Sequence, residues 1–318
     1  MEFGGRMVRL SPGVVVGALA LIVAACSGQA PQAPSLDPTT DKLAQVRERG
    51  TLVLWTDLEY PPQSFAVEGA TRLADTDCAP NQLTAPEVSG YDAETGKLVA
   101  GALGTEPCFI ATPFDTMIAG SWGDRYDVAW ASGALTVDRM ERLYVTQPYY
   151  STVASFFVRD DSAVSEPSAL AGKEIGACAG CTHELYLRRT LALPGVVMDW
   201  LVDDPQIVTF NTEVPGLEAV VDGEIDAFLC SATVGRAAIV NSAPLRELTK
   251  AAYYTQKTGY VDRDLTLGPR AFLDAIDAAI ASLHADGSLK ALSLEFFDAD
   301  YATPAGEFDL SAIEQAVP

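Results

Sequence analysis

Residues 126–150, YDVAWASGALTVDRMERLYVTQPYY, constrain this chain more than any other stretch. Tyr126 to Ala131 follow the turn at Gly123 as a short apolar run, the pattern of a buried strand. The run gives way to Ser132-Gly133-Ala134, small residues that let a ligand approach the backbone, and the strand is expected to stop there. Thr136-Val137-Asp138-Arg139 then turns into a short polar segment. After Pro148-Tyr149-Tyr150 a second apolar strand begins, Val153 to Val158. A strand end with small residues, free N–H groups and one arginine suits a ligand bearing a carboxylate. Ligands settle at the carboxyl ends of α/β strands, and a guanidinium offers a carboxylate two parallel charge-assisted bonds. A surface arginine in a turn is the plainer reading of Arg139.

The same alternation runs along the rest of the chain. Helices are predicted over Lys42–Arg49, stopped by Gly50, and around Leu98, Val99 and Leu103, stopped by Gly104. Another runs from Phe114 to Ile118, with Thr112 as N-cap and Pro113 at the first helical position. Strands are predicted at Thr51–Thr56, Cys108–Ile110, Glu174–Cys178, Ile207–Phe210 and Ile225–Cys230, and Tyr253–Val261 is extended. Phe272, Ile276, Ala279, Ile280 and Leu283 recur at helical spacing. Two separate runs of strand–helix units predict an α/β chain of two lobes, each with its own sheet. Residues 66–89, polar and punctuated by Gly and Pro, read as a long inserted loop.

The amino terminus reads as an address. Arg6 and Arg9 precede an apolar run from Gly13 to Ala25, too short to span a bilayer and of signal-peptide length. Small residues then place Cys26 directly behind it, in the manner of a bacterial lipobox. The expected organisation is a signal peptide over 1–25, then a lipidated Cys26 with a flexible tether over 26–41. Lobe 1 follows over 42–148 plus 262–318, and lobe 2 with the hinge strands over 149–261. The net charge of -22 disfavours nucleic acid as a partner, because phosphate binding rests on Lys and Arg.

Six cysteines occur. With Cys26 assigned to lipid, Cys78 and Cys108 flank the insert, and a disulfide between them would tie it down. Cys178, Cys181 and Cys230 leave one disulfide and one buried thiol, with the pairing open. Cys178-Ala179-Gly180-Cys181 is a CxxC with His183 nearby. With two histidines in the chain and no second CxxC, a four-ligand metal site is hard to assemble, and neither metal nor cofactor is expected.

Six stretches in order resemble the bacterial extracellular solute-binding proteins of family 3, the polar amino-acid-binding components of ABC importers. They are LAQVRERGTLVLWTDLEYPPQSF, GYDAETGKLV, FDTMIAGSWGDRYDVAWASGALTVDRMERLYVTQPYY, LAGKEIGACAGCTHELYL, GEIDAFLCSATVGRAAI and LDAIDAAIASLHADGSLKALSLEFF. The resemblance implies a two-lobed periplasmic-binding-protein-like fold of type II, with two crossing strands near 149–158 and 252–261. It implies a monomeric binding protein, not an enzyme, that captures a small amino-acid-like ligand and hands it to an ABC permease.

By the same resemblance, Asp57 and Tyr60 contact the ligand side chain and Phe114 stacks on it. Ser132 and Ala134 supply hydroxyl and backbone contacts, and Arg139, nine residues before Pro148, grips the α-carboxylate. Cys181 and Thr182 stand where a Thr pair caps that carboxylate. Three departures bear on the ligand. Ser231 stands where the family has an acidic residue for the α-ammonium, so Asp57 or Glu59 would have to replace it, or the ligand lacks that group. Gln63 replaces an aromatic, and the insert around Cys78 is placed to cover the cleft. A dehydratase-like enzyme, a thiol-redox protein using the CxxC, and a sensing module are the rival readings.

Overall fold

The computed structural model describes residues 36–313. The leader, Cys26 and the tether up to residue 35 lie outside the described residues. The end of the expected tether is ordered onto the body of the protein. Thr40 N–H donates to the Asp37 carbonyl, and Gly268 N–H donates to the Thr40 carbonyl at 2.8 Å.

Eight strands and eight helices position the site. The strands are β1 (Thr51–Trp55), β2 (Glu106–Ile110), β3 (Val128–Ala134), β4 (Tyr150–Arg159), β5 (Glu174–Cys178), β6 (Gln206–Phe210), β7 (Ala227–Ser231) and β8 (Tyr253–Asp262). The helices are α1 (Lys42–Arg49), α2 (Tyr91–Leu103), α3 (Phe114–Ile118), α4 (Val137–Arg142), α5 (Thr182–Leu187), α6 (Glu213–Asp222), α7 (Ala232–Val240) and α8 (Arg270–Ala285).

The strands form one hydrogen-bonded path, β6-β5-β7-β4-β8-β3-β1-β2, with Leu83–Thr84 beyond β2. This corrects the expectation of two separate sheets. The crossing strands β4 and β8 pair with each other, Tyr253 opposite Ala154 and Lys257 opposite Tyr150. Each also pairs with a strand of its own half, β4 with β7 and β8 with β3. Within each half the pairing is parallel, β1 with β2 and β3, β5 with β6 and β7. The architecture is α/β, two halves joined by the crossing strands β4 and β8.

Local chemistry explains the elements. The Asp41 carboxylate caps α1 by accepting from Ala44 N–H at 2.9 Å, and Gly50 closes it at φ 78°. Lys42 is buried because its ammonium meets the Asp127 carboxylate at 2.8 Å, and Asp127 also accepts from Arg49 and from Val53 N–H. One acid at the entrance to β3 thus fixes α1 against β1. Apolar residues of β1 and β3 (Leu52, Leu54, Val128, Trp130) pack with Phe272, Ile276 and Ile280 of α8. Each such side chain contributes about 1.5–3 kcal/mol when fully buried. On the other half, Phe156, Ile175, Ala227 and Leu229 pack with Tyr186 and Leu187 of α5.

β3 does not stop at Ser132, because Gly133 and Ala134 pair with Thr258 and Lys257 of β8. The ladder shifts register between Thr258 and Tyr260, and Ser132 takes φ 54°, an uncommon conformation for serine. The cap of α3 is Pro113, not Thr112. Thr112 instead accepts from Trp55 Nε1–H at 2.8 Å. The insert contains the short strands Leu83–Thr84 and Val88–Ser89, the strand Ser64–Ala66 leads into it, and Cys78 is bonded to Cys108. None of residues 66–89 lines the cleft described next, so the insert does not cover it.

Candidate functional site: a cleft between strand ends

The carboxyl ends of β1, β3, β5 and β6 converge on one cleft of about 530 Å³, solvent at its mouth included. Asp57 and Tyr60 come from the loop after β1 and Phe114 from the first turn of α3. Ala131, Ser132 and Ala134 come from the end of β3, and Arg139 from α4. The second half contributes Cys178, Cys181, Thr182 and His183 around the end of β5, and Asn211, Thr212 and Glu213 after β6. Lys257 reaches in from the crossing strand β8. Eight of the nine sequence-predicted ligand residues therefore line one cleft.

Arg139 is set by α4, whose cap Thr136 accepts from the Arg139 N–H. The residue is 3 % exposed. Nη1 donates to Tyr260 Oη at 3.1 Å and to the Ala134 carbonyl at 3.4 Å, and Nη2 donates to the Gly180 carbonyl at 3.2 Å. The Phe114 ring lies 5.3 Å from the guanidinium carbon. Among the described residues no carboxylate pairs with this cation. A buried, unpaired charge is costly, and the cleft in front of it is where an anion offsets that cost. Lys257 is equally buried, and burial pulls its ammonium down to about 8. It sits opposite Ala134 in the ladder, beside the Arg139 acceptors.

Ser231, the ninth predicted residue, is fully buried and does not line the cleft. Its hydroxyl pairs with Tyr60 Oη at 2.9 Å. A buried acid lines the cleft at Glu213, 3 % exposed at the start of α6. Glu213 Oε1 meets His183 Nδ1 at 3.2 Å and accepts from Ser231 N–H at 3.4 Å. Oε2 is buried without a hydrogen-bond partner. Glu59, the alternative acid, is exposed and outside this cleft. Asp57 does line it, and burial raises its carboxyl above the usual range. The sequence reading missed Glu213 and Lys257. Glu213 lies three residues past the end of a strand, where the strand-end rule points. Lys257 lies within an extended stretch and carries no local signal.

Behind Ser132 lies a buried network. Ser132 Oγ donates to Asp92 Oδ2 at 2.6 Å and lies 2.6 Å from Tyr150 Oη. Tyr149 Oη donates to Asp92 Oδ1 and accepts from Ser132 N–H, both at 2.8 Å. Burial pushes the Asp92 carboxyl up to about 7, against the pull of those donors. This network joins α2, β3 and the start of crossing strand β4.

Contacts also span the cleft. Besides Arg139 to Gly180, Tyr60 meets Ser231 and Gln63 Nε2 donates to Thr233 Oγ1 at 2.6 Å. Gln63, which by the resemblance replaces an aromatic, thus makes a polar contact between the halves. Cys178 is bonded to Cys181, and Cys230 is a buried free thiol.

The profile of the bacterial extracellular solute-binding proteins, family 3, matches residues 73–299. The L-cystine-binding protein TcyJ of Escherichia coli (strain K12) is 26% identical over 260 residues, covering 81% of this chain and 86% of the relative. The L-arginine-binding protein of Pseudomonas aeruginosa is 23% identical, covering 74% and 91%. The amino acid ABC transporter substrate-binding protein AbpA of Streptococcus pneumoniae, solved bound to L-arginine, superposes with a TM-score of 0.65. It is 20% identical and covers 81% of this chain and 98% of its own. The ancestral amino acid-binding protein AncCDT-1, a precursor of cyclohexadienyl dehydratase, superposes at 0.64 with 19% identity, covering 81% and 99%. The chain belongs to the bacterial extracellular solute-binding proteins, family 3.

Proposed function

We propose that this solute-binding protein captures an α-amino acid with a polar side chain and delivers it to an ABC permease. The observation that carries this is Arg139, a buried cation on the cleft wall with no carboxylate partner among the described residues. The ligand carboxylate takes the guanidinium, and Lys257 adds a second positive charge on that side. Glu213 Oε2 takes the α-ammonium in place of Ser231, since a desolvated ammonium calls for a charge and not a hydroxyl. The side chain lies along Phe114 and Tyr60 toward Asp57. Thr182, whose hydroxyl accepts from Tyr253 Oη at 2.9 Å, and Cys181 close the carboxylate end.

The ligand is bound and released unchanged. The curated relatives are named for binding cystine, arginine or histidine, and it is this binding role that is carried over. Lobe 1 comprises residues 42–148 with 262–318, and lobe 2 residues 149–261, the crossing strands serving as hinge. The protein acts as a monomer held at the outer face of the membrane by lipid on Cys26. A Cys26→Ala variant is expected to be shed, and its retention in the membrane fraction would remove the anchor.

A thermal-shift screen with amino acids and their deaminated analogues tests the central reading. A ligand at a hundred times its Kd adds about 2.7 kcal/mol to stability. A shift with an amino acid but not with its deaminated analogue supports both Arg139 and Glu213. A shift with deaminated acids alone removes the amino-acid assignment.

A further inference from the structure

The Cys178–Cys181 disulfide contributes little as a staple. Cys78–Cys108 closes a separation of 30 residues and ties the insert to β2, whereas Cys178–Cys181 closes a separation of 3 within one turn. Loop-closure stabilisation shrinks with the loop. What distinguishes the turn is its company on the cleft wall. The ligating atoms of Cys178, Cys181 and His183 all lie within 4.8 Å of one another. Cys178 Sγ is 3.6 Å from His183 Nδ1 and 3.9 Å from Glu213 Oε1, and those last two atoms are 3.2 Å apart.

Zinc bonds of about 2.3 Å to sulfur and about 2.0–2.1 Å to nitrogen or oxygen give tetrahedral edges of about 3.3–3.8 Å between ligands. With the cysteines still bonded to each other, Cys178 to His183 at 3.6 Å and His183 to Glu213 at 3.2 Å lie near the sulfur–nitrogen and nitrogen–oxygen edges of about 3.6 and about 3.3 Å, and Cys178 to Glu213 at 3.9 Å is longer than its edge of about 3.6 Å. Glu213 borders this group of three through Oε1, which faces Cys178 and His183, and its Oε2 is buried without a hydrogen-bond partner. We infer that the reduced chain binds one zinc-type divalent ion between Cys178 Sγ, Cys181 Sγ, His183 Nδ1 and Glu213, and that disulfide formation abolishes this site.

The conversion balances with a dithiol reductant. Its two sulfur atoms form a new disulfide, the Cys178–Cys181 bond breaks, and the two electrons and two protons of the dithiol pass to the protein thiols. The ion then displaces both thiol protons to solvent. Thiolates and an imidazole favour zinc over calcium or magnesium. Because the ion engages Glu213, the metal-bound form excludes an α-ammonium there. This exclusion rests on the amino-acid reading, while the metal site itself does not.

The test uses purified protein, oxidised or reduced by a phosphine and desalted, titrated with zinc against a chromophoric chelator, and with cobalt as a spectroscopic probe. One zinc per reduced chain and none per oxidised chain is expected. Cobalt is expected to give sulfur-to-metal charge transfer and tetrahedral ligand-field bands. His183→Ala and Glu213→Gln are expected to weaken zinc at least about tenfold, and the Cys178→Ser/Cys181→Ser double variant to lose it. That double variant keeps Cys78, Cys108 and Cys230, so zinc binding equal to reduced wild type would place the metal elsewhere and overturn the inference. No zinc on the reduced wild type, or equal binding by both redox forms, would do the same. The amino-acid screen is read on oxidised, metal-free protein, so either claim can fail without the other.

Discussion

Arg139 Nη2 donates to the Gly180 carbonyl oxygen at 3.2 Å, across the cleft from one half of the protein to the other. The residue proposed to hold the ligand carboxylate therefore also touches the turn between Cys178 and Cys181. Replacing Arg139 with Lys keeps the charge but loses the planar fork that reaches Tyr260, Ala134 and Gly180 together. Arg139→Lys is expected to weaken ligand binding at least about tenfold, the equivalent of about 1.4 kcal/mol. Calorimetric titration checks it, and an unchanged Kd would show that the fork is not used.

Glu213→Gln keeps the shape of the side chain and removes its charge. Affinity for the α-amino acid is expected to fall, while any weak binding of the deaminated analogue stays level or improves. Equal losses for the two ligands would place Glu213 outside the ammonium contact.

Lys257 carries a pH prediction. Burial pulls its ammonium down to about 8, so it is charged below that pH and neutral above it. Ligand affinity is expected to fall as pH rises through about 8, and Lys257→Met is expected to bind more weakly at pH 7 with a flatter profile. Parallel profiles for the two proteins would remove Lys257 from the anion site.

Asp92 carries a second pH prediction, for stability. Its carboxyl is raised on folding from 3.8 to about 7, chiefly by burial. A raised carboxyl holds its proton more tightly in the folded chain, so its contribution is full below about pH 4 and is lost as pH rises through about 7. Between pH 5 and 8 the Tm of wild type is expected to fall more steeply than that of Asp92→Asn. Equal slopes would contradict this.

The Cys78–Cys108 bond closes a separation of 30 residues. Its loss in a Cys78→Ala/Cys108→Ala variant is expected to cost about 3–4 kcal/mol in denaturant unfolding. The cleft lies apart from residues 66–89, so ligand affinity under native conditions is expected to hold.

How far the sequence reads depends on where a residue takes its instructions. α1, β5 and α3 carry their periodicity and stop signals locally and fall at the predicted residues. The strand-end rule pointed to Ser132, Ala134 and Arg139, and the family resemblance supplied Asp57, Tyr60, Phe114, Cys181 and Thr182. The end of β3 was misjudged because Gly133 and Ala134 are held by Lys257 and Thr258, more than a hundred residues further along the chain. The single continuous sheet was missed for a similar reason, since it depends on β4 and β8 pairing with each other. Ser231 carried no charge for an ammonium, and no local pattern could show that α6 brings Glu213 to the Ser231 backbone. Nor could spacing alone show that Glu213 stands beside the CxxC.

The central claim is that Arg139 holds the ligand carboxylate. It is tested most directly by calorimetric titration of wild type and Arg139→Ala with the amino acid that most raises the Tm. A buried charged hydrogen bond is worth about 1.5–3 kcal/mol, so the variant is expected to bind roughly ten- to a hundred-fold more weakly, with the fold intact by circular dichroism. An Arg139→Ala protein that binds that amino acid at wild-type affinity would contradict the claim.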